Sequence, residues 1–427
     1  MGDERYRVEP FDLWHYFSRR LFEPAVRLRV DLADRLDADV LARAVAASCT
    51  TLPLIGCGFL GAGRRPRWVP RPGAAREVVR VVDSADDHEG CVHRALAAGI
   101  DLERGPQLTL TLVRQPGRDT LCAVVNHMVC DATGFTEYLR ELSRLYTALV
   151  AGGEPLLPTP WRPRGSRAAM RGLALARRVR VLRSRFDAYD ESTVGTAGRP
   201  QFRHADGPVR LLTQQIAADN FAAARAAAKE RGASANDLFM AEFAHAWAER
   251  TGVERVVLPS TIDVRQFVVP RTPLGITNLS SNALCSIQLG PGVDLDGALQ
   301  QVTQQMAVHK NGTAALKSVL MWNLAVGALP YRYLASRFTR LLTFPAVSYT
   351  NLGVLADETV AFGTVPVESA HFSTAIKPSP FFQLTVSTFR GVPTLSANIA
   401  GDDEAAAFAT GVLDATAVGI DALAAHG

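Results

Sequence analysis

The chain alternates between short runs of period-two hydrophobicity and longer stretches with a three-to-four-residue repeat. Val26, Leu28 and Val30 alternate with Arg27, Arg29 and Asp31, the pattern of a half-buried strand. Residues 37–48 carry Val40, Ala44 and Val45 on one side and predict a helix. Pro53-Leu54-Ile55 opens a second strand, which Gly61-Ala62-Gly63 turns back toward Trp68-Val69. That turn is too short for a phosphate loop and lacks its Lys-Ser/Thr. A strand at 77–82 and a helix at 88–98 follow. Leu108, Leu110 and Leu112 alternate with threonines, and a turn at 115–118 pairs this strand with the next.

That next strand is apolar on both faces from Leu121 to Val125 and is therefore central in its sheet. It ends in Asn126-His127. Asp131 comes four residues later, and a helical repeat (Phe135, Tyr138, Leu139, Leu142, Leu145, Tyr146, Leu149) begins at once, stopping at Gly152-Gly153. A histidine delivered to a strand edge can, as neutral imidazole, take a proton from an alcohol or amine near neutral pH. It can equally be a packed core histidine. Asp131 lies behind a tight turn, where it suits pairing with an arginine better than touching a substrate. Cys130 is three residues from His127, and a Cys/His nucleophilic pair is the alternative use of the same stretch.

Residues 152–206 change character. Pro155, Pro158, Pro160 and Pro163 read as a linker, and 164–186 is strongly basic. That basic stretch is either a solvated crossover helix or a surface for an acidic partner; 187–206 reads as loop. The second half predicts a strand at 209–215, a helix at 219–231, a helix opened by the capping pattern Ser234-Ala235-Asn236-Asp237, and strands at 256–258 and 283–289. Helices follow at 294–309, 313–326 and 330–340, then a strand at 346–353. A hairpin around Gly391 and a closing helix at 402–425 end the chain. His245 reads as structural.

With 427 residues there is room for two domains of about 200 each. The 48% hydrophobic and 21% charged content is that of an ordinary globular chain, and a net charge of +4 does not argue for nucleic acid. Apolar runs fall short of the roughly 20 residues of a membrane span. The charged N-terminal stretch does not read as a secretory signal, and Tyr6 does not fit a myristoylation site. Six scattered cysteines without zinc spacing read as reduced, buried thiols, so the expectation is a cytoplasmic protein with no metal.

His127-Met-Val-Cys-Asp131 resembles the HxxxD signature of the CoA-dependent acyltransferase superfamily, which includes peptide-synthetase condensation domains, chloramphenicol acetyltransferases and polyketide-associated ester-forming enzymes. Asn126 stands where condensation domains carry a first histidine, and Ala132 where many members have glycine. The plant-type DFGWG motif is absent. The resemblance implies an α+β fold of two chloramphenicol-acetyltransferase-like subdomains, each an α/β two-layer sandwich, set as a V-shaped pseudo-dimer. Their expected limits are 1–160 and 207–427, joined by the basic crossover 161–206. It implies His127 as general base, and Arg265, two residues after Asp263, as the partner of Asp131. Asn278, Ser281 and Asn282 resemble a segment beside the acyl-donor tunnel. Ser348, Thr350 and Asn351, with Asn126, are candidates to hold substrate or an oxyanion, although Asn351 suits a turn cap equally well.

The implied activity is acyl transfer from a CoA or carrier-protein thioester to an alcohol or amine, with no bound cofactor and acyl-CoA or an acyl-pantetheinyl carrier protein as co-substrate. The setting would be natural-product, ester or amide formation, with carrier-protein docking among the expected interactions. The alternatives are a docking module of the same fold without chemistry, and a cyclising enzyme reusing the cleft.

Overall fold

A computed structural model describes residues 6–61, 65–84, 86–152, 157–184, 207–268, 273–309, 312–341 and 346–425. The predicted loop at 187–206, Ala62-Gly63 and Pro155 lie outside them. The elements in chain order are α1 (Pro10–Ser18), β1 (Ala25–Leu32), α2 (Ala38–Ser48), β2 (Cys57–Leu60), β3 (Arg67–Pro70), β4 (Val79–Asp83), α3 (His88–Ala97), β5 (Leu108–Gln115), β6 (Arg118–Asn126) and α4 (Ala132–Val150). The crossover holds α5 (Ser166–Met170) and α6 (Leu175–Arg183). The second half has β7 (Val209–Gln215), α7 (Ala218–Glu230), α8 (Ala235–Thr251), β8 (Arg255–Asp263), β9 (Ser280–Gln288), α9 (Leu295–His309), α10 (Thr313–Ala328) and α11 (Tyr331–Leu341). It ends with β10 (Val347–Leu355), β11 (Val367–Ser373), β12 (Lys377–Pro378), β13 (Phe382–Phe389), β14 (Val392–Ala400) and α12 (Asp403–Ala425).

The fold is α+β, built on two mixed sheets. The first runs β11-β1-β6-β5-β4. Strand β6 is its middle strand, which explains the unbroken apolar run. Leu121, Ala123 and Val125 join the core under α2 and α4, while Cys122 and Val124 pack on the opposite face with Val92 and Leu96 of α3. A strand covered on both faces cannot alternate in polarity. The second sheet runs β12-β14-β13-β10-β8-β9, with β7 also on β14, and is covered by α7, α8, α9 and α12. Arg390 and Gly391, both at positive φ (46° and 81°), make the tight β13–β14 turn.

Three features depart from the sequence reading. Pro53–Gly56 is a single 3₁₀ turn, and the strand begins only at Cys57, because proline at the first helical position suits a helix start better than a ladder. The N-terminal helix α1 went unread. The first sheet also takes its edge strand, β11, from the last quarter of the chain, pairing Arg27–Leu32 with residues 367–373, so a division at 160 and 207 does not follow the sheets.

The basic crossover is less solvated than its charge suggests. Ala169, Met170, Leu173 and Val181 pack with Phe11 of α1 and Leu316, Val319 and Leu320 of α10 in a third core between the halves. The 23-residue α12 is long and apolar enough by composition to cross a membrane. Here it lays Ala405, Ala409, Val412, Leu413 and Ile420 into the second core.

Candidate active site

His127 stands in the turn between β6 and α4. Its backbone N–H donates to the Pro24 carbonyl at 3.1 Å. Asn126 shapes the turn rather than facing a substrate. Its Oδ1 accepts from Met128 N (3.0 Å), its Nδ2 donates to Gln107 Oε1 (2.7 Å), and the residue is buried. Asp131 then caps α4 by accepting from Gly134 N at 2.8 Å. Gly134 allows a close approach to the second half. A Cβ there would lie 2.8 Å from the Thr277 carbonyl oxygen, which belongs to the β8–β9 connection of the second half.

That connection completes the site. Arg265 donates to both oxygens of Asp131, at 2.9 and 3.0 Å, and to the Thr277 carbonyl at 2.8 Å. Leu279 N donates to Asp131 Oδ2 at 2.6 Å. Both carboxylate oxygens are therefore occupied, and Asp131 serves as the clamp between the halves. Burial opposes the Arg265 charge, but Asp131 more than offsets it and holds the guanidinium firmly protonated.

Asn278, expected beside a tunnel, contacts the imidazole. Its Nδ2 donates to the carbonyls of His127 (2.7 Å) and Met128 (3.2 Å), which leaves Oδ1 as the atom 3.1 Å from His127 Nδ1. An acceptor at Nδ1 places the ring hydrogen there and leaves Nε2 with a free lone pair. Nε2 makes no hydrogen bond among the described residues, and His127 is partly exposed. Burial, set against Asp131 and Asn278, holds the imidazole below its usual range, so it is neutral at pH 7.

Three residues at the site escaped the sequence reading. His15 of α1 stacks on His127 with ring centroids 4.0 Å apart and planes 20° off parallel. Burial first, then His127 and Lys377, keeps it neutral. Asp12, also on α1, forms a fully buried two-point ion pair with Arg164 (2.8 and 2.9 Å), and Arg164 donates on to the Met128 and Val129 carbonyls. The first residue of the basic stretch is thus a brace for the His127 turn rather than surface. Lys377 is the third. The signal for α1 was present as Glu9-Pro10-Phe11-Asp12, a capping box with proline at the first helical position.

The remaining expected residues lie elsewhere. Ser281 is buried in β9 opposite Ile262, and Asn282 is exposed opposite Thr261. Ser348 Oγ donates to the Phe382 carbonyl (3.3 Å), and Thr350 is buried opposite Thr385. Asn351 Oδ1 accepts from Gly353 N (2.9 Å), the turn-cap alternative. No hydrogen bond joins these five residues to His127 among the described residues. Cys130 is buried and its thiol is pushed far up by desolvation, so it holds its proton and cannot act as a thiolate. His245 lies on α8 in the second half. Among the described residues no group of His, Cys, Asp and Glu is arranged to hold a metal.

Solved structures match this arrangement over almost its whole length. Polyketide synthase associated protein 5 from Mycobacterium tuberculosis is 15% identical, covers 96% of both chains and has a TM-score of 0.69. The first condensation domain of the CDA synthetase is 17% identical over 98% of this chain and 96% of its own, with a TM-score of 0.68. This chain has the fold of the condensation domains. Trichothecene 15-O-acetyltransferase from Fusarium sporotrichioides shares that condensation-like fold at 14% identity, over 97% of this chain and 94% of its own, with a TM-score of 0.67. No protein-family model matches the chain. Among curated proteins, surfactin synthase subunit 1 of Bacillus subtilis (strain 168) is 30% identical over 95 residues, 22% of this chain and 3% of that protein. Chondramide synthase cmdD of Chondromyces crocatus is 34% identical over 95 residues, 22% of this chain and 2% of its own length. The match thus spans a small fraction of either relative.

Proposed function

We propose that this chain transfers an acyl group from a CoA or carrier-protein thioester to an alcohol or amine, with His127 Nε2 as general base. The observation that carries the reading is the Asn278–His127 contact, which fixes the hydrogen on Nδ1 and leaves Nε2 as a lone pair where the two halves meet. The acceptor O–H or N–H would give its proton to Nε2 as its heteroatom attacks the thioester carbonyl. Collapse of the adduct would break the C–S bond, and the departing thiolate would take the proton back from the imidazolium. Asp131 has no oxygen left for substrate and holds the turn.

The exposed Arg171, Arg177, Arg180 and Arg183 favour an acidic donor, either the phosphates of CoA or a carrier protein. The solved relatives of this fold include a condensation domain and an acetyltransferase, which supports acyl-transfer chemistry of this general kind.

The test is thiol release from a panel of acyl-CoAs, with and without alcohols and amines. His127→Ala should unfold at the wild-type temperature and lose about 10²- to 10⁴-fold in rate. Full turnover by this variant would sink the assignment. Absence of release by the wild type, together with tight carrier-protein binding, would leave a docking role instead.

A further inference from the structure

Lys377, one of the two residues of β12, lies one segment away from the proposed base, and among the described residues no anion pairs with it. The placement follows from backbone bonds. Glu23 N donates to the Ile376 carbonyl (3.3 Å), and Pro24, the next residue along, accepts from His127 N. Segment 22–24 therefore separates Lys377 from the His127 turn. The ammonium lies 3.3 Å from the centroid of the Phe22 ring. No described carboxylate forms a salt bridge with it, and the nearby Glu23 is engaged by Arg27 at 2.5 Å. Its charge is close enough to lower the proton affinity of both His127 and His15. A second polar atom is also left over, since Nε2 of the buried His15 has no hydrogen-bond partner among the described residues. A half-buried cation resting on a ring face and a buried unpartnered nitrogen both favour a ligand, and an anionic ligand atom satisfies both.

We propose that Lys377 and His15 form a subsite for a carboxylate carried by one of the two substrates, next to the reacting centre. This rests on the acyl-transfer reading above for its consequence, but not for its binding. The long pantetheine arm keeps its phosphate far from the thioester, so the anion belongs either to the acyl chain or to the acceptor. The site also couples binding to chemistry. Lys377 without a counter-charge makes His127 a weaker base. A carboxylate on the ammonium cancels that field, so the base strengthens when the correct substrate is in place. Desolvation pushes the Lys377 amine down to about 7, and a carboxylate on it would raise that value and hold the ammonium form.

The experiment uses the full chain and two pairs of ligands. Succinyl-CoA is compared with butyryl-CoA, and 3-hydroxybutyrate with 2-butanol. Binding is measured by calorimetry on the wild type, Lys377→Met and His15→Phe, each ligand alone so that no transfer is needed. The expected result is that, in one pair, the wild type binds the carboxylate-bearing member at least about tenfold more tightly, the worth of one charge-assisted contact. Lys377→Met should abolish that preference, and His15→Phe, which keeps a stacked ring, should reduce it. Lys377→Met should melt at or above the wild-type temperature, since it removes a half-buried charge with no ion-pair partner among the described residues. Where transfer occurs, the same pair should differ in kcat as well as KM. The subsite is overturned if neither pair shows a preference, or if the preference survives in both variants. A Lys377-dependent preference without any transfer would uphold the subsite and sink the acyltransferase reading.

Discussion

Asn278 orients the imidazole as a carboxylate would, but without a charge. It receives the Nδ1 hydrogen and leaves the basicity of His127 to be set by burial. In the proposed reaction the active form is the neutral ring, and burial holds its pKa below the usual 6.5. The acid limb of kcat/KM should therefore have its midpoint below pH 6.5, with activity rising as pH passes upward through it. Asn278→Asp places a negative charge on Nδ1 and should move that midpoint upward. A pH–rate profile of both proteins checks this, and a wild-type limb at or above 6.5 would contradict the assignment. His127 was legible because an apolar run ends on it and an aspartate follows at the motif spacing. The role of Asn278 was not, because its partner is 151 positions away and no local pattern records the contact. His15 and Lys377 were hidden for the same reason. One lies on a short helix and the other in a two-residue strand, and only the assembled fold sets them beside the ring.

The start of α4 carries two loads on one side chain. Asp131 caps the helix, worth about 1 kcal/mol, and also neutralises Arg265. Arg265→Met leaves the buried carboxylate unpaired and should cost roughly 3–5 kcal/mol in chemical denaturation. Asp131→Asn retains an oxygen for Gly134 but loses the ion pair, and should fall between the wild type and Arg265→Met. A cost under about 1 kcal/mol for Arg265→Met would mean the clamp is ornamental. Most elements were readable where burial imposes one period on a long stretch. The helix at 132–150, the capping box at Ser234 and the apolar run Leu121–Val125 of β6 are examples. Strand β11 was not readable. Its sequence, Val-Glu-Ser-Ala-His-Phe-Ser, spends alternate positions on Ser369, which bonds Asp31, and His371, which lies opposite Arg29. Polar cross-strand pairs help to hold it, and its core residues Val367, Ala370 and Phe372 are too irregularly spaced to leave a readable period.

At the scale of the whole molecule, β11 makes the first sheet depend on the last. Residues 1–206 expressed alone lack their edge strand, the Arg265 clamp and the apolar contacts of α10 and α11. That fragment should be insoluble or molten, and co-expression with 207–427 should restore soluble protein, read by gel filtration and near-UV circular dichroism. A well-folded isolated fragment would refute the interdependence. The same arrangement governs how the chain is made. Strand β1 leaves the ribosome early, but its neighbour follows only after roughly 330 further residues, which at about 5–20 residues per second is on the order of half a minute. Throughout that interval the nascent chain presents an unpaired strand edge to its surroundings. Shielding of that edge during translation should therefore raise the yield of this protein in a cell, before any property of the finished fold comes into play.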